Sequence, residues 1–238
     1  MSTYSEAGYS LVGFGAVVSV VSYLVIQSVP LTALGLGSVM VGLAALLLPP
    51  KAIPTSLVKA MLQNSSTNIE AILEEYDAHG KAVYLPPRDG YVTAFVPLKD
   101  VPVMEVAAAG DIPLRVLSAA GGTRGVTVFP PGSELPKAYE AYQEGSFDDL
   151  LRLVLVDSTE LASSVRTSRE GDAVVIEITG PRVRPDLPRF NRCLGSLPTS
   201  VAACTLSYKG GRRVVVEKEE SSEGKITAVL REVKVGEE

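Results

Sequence analysis

Residues 7–50 read AGYSLVGFGAVVSVVSYLVIQSVPLTALGLGSVMVGLAALLLPP, a run of 44 residues without one Asp, Glu, Lys or Arg. That is too apolar for the surface of a soluble domain and too long for one helix across a bilayer. The run divides naturally at Gln27-Ser28-Val29-Pro30. At 1.5 Å per residue, residues 9–29 would span about 31 Å and residues 31–48 about 27 Å, against a hydrocarbon core of roughly 30 Å. Pro30 fits the first turn of the second helix, where its missing N–H is no loss. The expectation is an N-terminal transmembrane α-helical hairpin, because irregular backbone exposed to lipid cannot satisfy its polar groups. A cleaved signal peptide would carry a basic leading segment, and Met1–Gly8 holds only Glu6.

Small residues recur four apart in this run. Gly15 and Ser19 pair in the first span, Ala33 and Gly37, then Ser38 and Gly42, in the second. Such pairs let helices approach closely, within the hairpin or against another membrane subunit. No ionisable residue lies inside, which argues against an ion or proton path through this chain alone. Lys51 and Lys59 follow the second span, so the positive-inside rule places both termini and the large domain in the cytoplasm, beneath the cell membrane.

Residues 51–238 carry all 22 basic and 26 of the 27 acidic residues, a net −4, and supply enough chain for a real core. The mild acidic balance excludes a nucleic-acid-coating surface. One His and two Cys fit neither zinc-binding nor His-based catalytic arrangements, so no catalytic residue, metal or cofactor is assigned. The pattern predicts juxtamembrane helices within 51–80, at Thr55–Gln63 and Asn68–His79, the second capped by Thr67 and Glu70. Residues 81–238 read as one α+β domain. Short β-prone runs come first (Ala82–Leu85, Tyr91–Val96, Val101–Val106, Leu114–Leu117, Val126–Phe129), broken by Gly and Pro. Helices are expected at Glu134–Gln143 and from Phe147 to about Val156, the latter capped by Ser146 and Asp149. Two strands between Val165 and Ile178, a helix at Pro198–Tyr208 and strands at Arg213–Glu219 and Ile226–Val233 complete the chain. Three Asn and three Gln in 238 residues is sparse, a bias expected of thermophiles.

The most distinctive segment is Pro181–Cys204. Arg182, Arg184, Arg189 and Arg192 crowd eleven residues ahead of a helix start near Thr199, a pattern that suits a phosphate, carboxylate or lipid head group. A solvated proline-rich loop, its arginines paired with surface acids, is the competing reading. Cys193 would be acidified there if exposed, whereas Cys204 on an apolar helix face reads as buried. A Cys193–Cys204 disulfide and a reactive thiol both stay open. His79 reads as a cation near a helix C-terminus.

Cys193-Leu194-Gly195-Ser196 through Ser200, Ala203-Cys204 and Val214-Val215-Val216-Glu217 resemble a group of uncharacterised archaeal proteins. The resemblance implies a membrane hairpin followed by a soluble domain that ends in a Cys- and Ser-containing helix and a β-hairpin. The closing helix–strand–strand is also similar to the end of small-molecule-binding domains of the vinyl-reductase type, whose characteristic cysteines are missing from Glu217–Leu230. The functional expectation is a non-catalytic membrane protein that contacts lipids and binds a protein partner, or self-associates through its hairpin, as an accessory subunit. The alternatives are a binding domain for an anionic or lipid-like molecule and a thiol-redox protein.

Overall fold

The charge-free segment forms two helices, α1 (Thr3–Val21), prolonged by a wide π-type turn at Ser22–Ile26, and α2 (Val29–Leu47). The computed structural model describes residues 3–47, 55–110, 112–139, 145–183 and 185–233. These fall into two compact units, Met1–Ile53 and Pro54–Glu238. In the first, α1 and α2 pack antiparallel along a seam of small residues. Its buried positions are Gly8, Gly15, Ser22, Gly35 and Gly42, repeating every seven residues on each helix as left-handed pairing requires. A Cβ on Gly15 would stand 2.7 Å from the Gly35 carbonyl, and one on Gly42 would stand 2.8 Å from the Val12 nitrogen. The Ser19 hydroxyl donates to Thr32 O at 3.3 Å near the turn.

Of the expected packing residues, Gly15 and Gly42 lie on this seam and Ser19 and Ser38 beside it, while Ala33 and Gly37 face outward. Gly8 and Gly35 escaped a search for spacings of four because the seam repeats every seven. One helix, Gly8–Ile26, is long and apolar enough to cross a membrane, a property signal sequences share; Val29–Ala44 is a shorter apolar helix.

The second unit is α+β, built on an eight-stranded antiparallel sheet. Its strands are β1 (Val83–Tyr84), β2 (Ala94–Pro97), β3 (Leu117–Ala120), β4 (Thr123–Val128), β5 (Ser164–Glu170), β6 (Ala173–Thr179), β7 (Arg213–Ser222) and β8 (Lys225–Val233), in the order β3-β4-β2-β1-β7-β8-β6-β5. The helices are α3 (Thr55–Glu75), α4 (Val103–Ala108), α5 (Leu135–Ala138), α6 (Phe147–Arg152), which widens into a π turn to Ser158, α7 (Pro188–Leu194) and α8 (Leu197–Gly210). The larger core joins α3, α6, α7 and α8 to one sheet face through residues such as Leu73, Leu151, Phe190, Val201 and Ile176. A smaller core on the opposite face gathers Phe95, Val106, Ile112, Val83 and Val215 around α4. Strand alternation sorts β2 between them, with Ala94 and Val96 in the first and Phe95 in the second.

Several elements differ from expectation. The two juxtamembrane helices are one, because the Ser66 and Thr67 hydroxyls bond back to Leu62 O and Gln63 O and so sit comfortably mid-helix; Thr67 caps nothing. That helix ends at Glu75, leaving His79 beyond it. Val101–Val106 is not a strand: Val103–Ala108 is helical, and the buried Arg213 guanidinium donates to the carbonyls of Ala107, Ala109 and Gly110 at its end. Helix α5 ends at Ala138, and residues 140–143 of the expected helix lie outside the described residues, as do Lys51 and Leu48. The Ser146–Asp149 capping box is present as expected.

Leucine at Gly15 or Gly35 should separate the paired helices, costing about 1–3 kcal/mol or more by overpacking, whereas leucine at the outward Gly13 or Gly37 should be neutral. Melting temperatures of the four variants in one detergent check this contrast.

Candidate functional site

The arginine-rich segment does not converge on a shared anion. Phe190 and Arg189 open α7, and their backbone N–H groups both donate to the Glu70 carboxylate, at 2.5 and 3.1 Å. Glu70 is itself buried, reaching across from α3. At the start of α8, Ser196 N donates to the Glu219 carboxylate at 3.0 Å. Both helix N-termini near these arginines are therefore filled by carboxylates of the chain itself. The guanidinium groups fan outward: Arg182 pairs with Glu160 at 2.8 Å, Arg189 with Asp77 at 2.9 Å and Arg192 with Asp100 at 3.4 Å. Arg184 lies outside the described residues. Glu160 also binds Lys59 of α3 at 3.2 Å. The Arg189 hydrogen bond, then the charge of His79, holds the exposed Asp77 carboxyl below its usual range.

Cys193 and Cys204 are free thiols, both buried, and they point at different carbonyls, Ala78 O at 3.7 Å and Pro131 O at 3.9 Å. Burial pushes Cys193 up to about 11, outweighing the pull of Arg192 and Lys81, and raises Cys204 as well. Exposure was the condition for an acidic Cys193, and α7 packs its thiol inward instead. Tyr84, also buried, donates to Leu194 O at 2.8 Å and meets the Ser200 hydroxyl at 2.9 Å. Burial raises its phenol well above the ordinary value. Among the described residues no group of three His, Cys, Asp or Glu side chains is placed to hold a metal.

The concave surface lies elsewhere, where the sheet ends at β3. Asp89-Gly90, both with positive φ, form a tight two-residue turn that sets Arg88 opposite Tyr91. Tyr91 meets Phe129 edge to face, with centroids 6.3 Å apart and planes at 86°. Lys137 of α5 stands 5.1 Å from the Tyr91 ring centre and donates to Asp89 O at 3.1 Å. With Ile112 and Leu114 these rings wall a cavity of about 430 Å³, floored by Thr93 and Ser133 and rimmed by Arg88, Asp89 and Glu134. A second cavity of about 370 Å³ shares Leu114 and Phe129 and runs to α3, where Ser65, Asn68, Ile69 and Ile72 close it.

The apolar side chains here remain well exposed: Leu114 54%, Val116 57%, Leu117 51% and Phe129 50%. A cluster of this kind beside two cavities is a candidate binding surface rather than scattered exposure. Next to it, β3 ends the sheet with no further strand beyond it among the described residues, and Leu117-Ser118-Ala119-Ala120 carries no charge and no proline. The opposite edge strand, β5, presents Arg166, Arg169 and Glu170, the usual defence against unwanted pairing. Sequence reasoning marked 114–117 only as a strand, shifted by about three residues from β3. Pro113, just before that run, suggests an edge strand, and β3 does end the sheet.

The chain belongs to the family described as Domain of unknown function (DUF7982), whose pattern matches residues 1–231. No curated protein and no solved structure matches it.

A thiol held near 11 is ionised to less than about one part in a thousand at pH 7.5. Iodoacetamide should therefore label the folded chain at least 100-fold more slowly than a free thiol, with full labelling only in denaturant, as read by intact mass. The sign of the pH dependence follows from the raised value. Stability from protonated Cys193 is complete below the unfolded thiol's value of about 8.5 and is lost as pH climbs toward 11. Urea midpoints measured from pH 8 to 11 should fall across that window, and less steeply in Cys193→Ala.

Proposed function

We propose that this chain is a membrane-anchored, non-catalytic binding protein that serves as an accessory subunit of a membrane assembly. In this reading the hairpin of α1 and α2 holds the chain among membrane lipids, with both termini and the α+β domain on the cytoplasmic side. The open edge at β3 receives an extended segment of a protein partner, which adds to the sheet as a further strand. One observation carries the reading: of the two sheet edges, β5 is charged, whereas β3 is uncharged and lies among exposed Leu114, Val116, Leu117 and Phe129. Strand pairing supplies the main-chain hydrogen bonds that an edge otherwise leaves to water, and alternate side chains of the added strand would enter the groove toward α3. The apolar surface supplies the remaining driving force.

The arginine segment is a weaker binding place, since an external anion would have to displace Glu70 or Glu219 from backbone donors each already holds. The buried thiols offer no exposed nucleophile for redox exchange.

The full chain, tagged and recovered gently from its own membranes, should carry one stoichiometric partner. In the double variant Val116→Lys/Leu117→Lys the recovered partner should fall at least tenfold, with melting temperature and membrane location unchanged. Recovery of the wild-type chain alone, or equal partner yield from both, overturns the proposal.

A further inference from the structure

The cavity between Tyr91 and Phe129 has a floor that strand docking does not use. Thr93 and Ser133 are 5% and 8% exposed, and both line this cavity. Among the described residues neither hydroxyl has a hydrogen-bond partner, although their backbones are engaged, Thr93 O by Leu85 N at 2.7 Å and Ser133 O by Val92 N at 3.3 Å. Both residues are nearly buried and line the cavity, so their hydroxyls are left to exchange hydrogen bonds with whatever fills it. Two such groups at the bottom of an otherwise apolar cavity are what a built ligand site presents: an apolar wall for affinity and a few polar groups for orientation.

The surroundings set the ligand's chemistry. Tyr91 meets Phe129 edge to face and carries Lys137 over its ring, so the half-exposed Phe129 ring offers the surface for an aromatic or alicyclic body. Ile112 is 1% exposed and closes the inner wall. Around the mouth, Arg88 and Lys137 are matched by Asp89 and Glu134, so no sign of charge prevails. A pair of hydroxyls can exchange hydrogen bonds with a carbonyl or hydroxyl but cannot compensate a buried ion. We infer that this cavity binds an uncharged, ring-bearing small molecule that enters with a hydroxyl or carbonyl group leading and places it between the Thr93 and Ser133 hydroxyls.

The inference goes beyond the docking of a strand at β3 and stands or falls independently of it. The position of the floor is set by the core. Gly132, at φ +88°, brings the turn so close to α8 that a Cβ there would lie 2.9 Å from Val201. Ser133 follows directly, and its N–H donates to Pro130 O at 3.0 Å. Thr93 lies one residue before β2, in the middle of a buried stretch. Both hydroxyls are therefore carried on rigid backbone, as a specific site requires.

The probe is 2-naphthol, bound to the full chain in lipid nanodiscs and followed by its own fluorescence, with empty nanodiscs subtracted. The chain contains no Trp, so protein emission interferes little. Saturable binding is expected, at least tenfold tighter than that of naphthalene or of the anion 2-naphthoate. Thr93→Val and Ser133→Ala should each weaken 2-naphthol five- to tenfold and leave naphthalene unchanged, while Phe129→Ala weakens both. Comparison among variants in identical nanodiscs cancels partitioning into lipid, and melting temperatures confirm that each variant is folded. Equal affinity for naphthol and naphthalene, tighter binding of the naphthoate, no saturable binding, or indifference to both hydroxyl deletions in folded protein overturns the inference.

Discussion

Helix α8 is buried on every side: all eleven residues from Leu197 to Ser207 are shielded from water. A helix in that position tolerates no charge and must pair every hydroxyl it carries. It does so in three ways. Thr205 bonds back to Val201 O at 2.9 Å, and Ser200 meets the Tyr84 phenol. The Ser207 hydroxyl lies 2.9 Å from both Leu85 O, just after β1, and Arg212 O, just before β7, with one proton to share between them. The first charged residue of α8 is Lys209, at the end where a cation suits the helix dipole and where the burial has ceased. The other elements of the soluble unit are arranged around this rod, α3, α5, α6 and α7 as neighbours and β1, β7 and β8 beneath.

That arrangement explains which parts of the fold could be read along the chain. The Ser146–Asp149 box, the β5–β6 and β7–β8 hairpins and α8 itself declare themselves within about twenty residues, through caps, alternation and Gly-containing turns. The start of α7 does not. Its orphan N–H groups are satisfied by Glu70, 120 residues earlier, so no local signal marks a helix at Pro188, and its arginines read as loop. Helix α4 was hidden for the same reason. Its carbonyl end is received by Arg213, more than 100 residues downstream, and the β-branched run Val101–Val106 suggested a strand. In each case the partner that stabilises the element is set by tertiary packing rather than by its own spacing.

The candidate sites divide along the same line. Arginine density and a helix start are visible in sequence, and they pointed to an anion between residues 182 and 200. The folded chain brings Glu70 and Glu219 into those donor positions, and disperses Arg182, Arg189 and Arg192 onto separate acids. The cavity beside β3 carries no such local signature. Tyr91, Ile112 and the Phe129–Ser133 turn belong to three separate stretches, and register brings the first and last together. Pairing Ala94 with Val128 places Thr93 and Phe129 together on the face opposite the main core.

The exposed cluster and the buried helix are thus two ends of one arrangement. Val201 on α8 lies against Gly132, and this contact seats the Pro130–Ser133 turn. The turn also accepts from Val92 N through Ser133 O and so positions the segment leading into β2 that carries Tyr91 and Thr93. A side chain larger than hydrogen at residue 132 would lift the turn from α8, and its positive φ would resist the change as well. The surface around Phe129 is thus seated, through the Pro130–Ser133 turn, on the most deeply buried element of the domain. Rigid support of this kind is what a site built on that surface would need in order to hold its geometry.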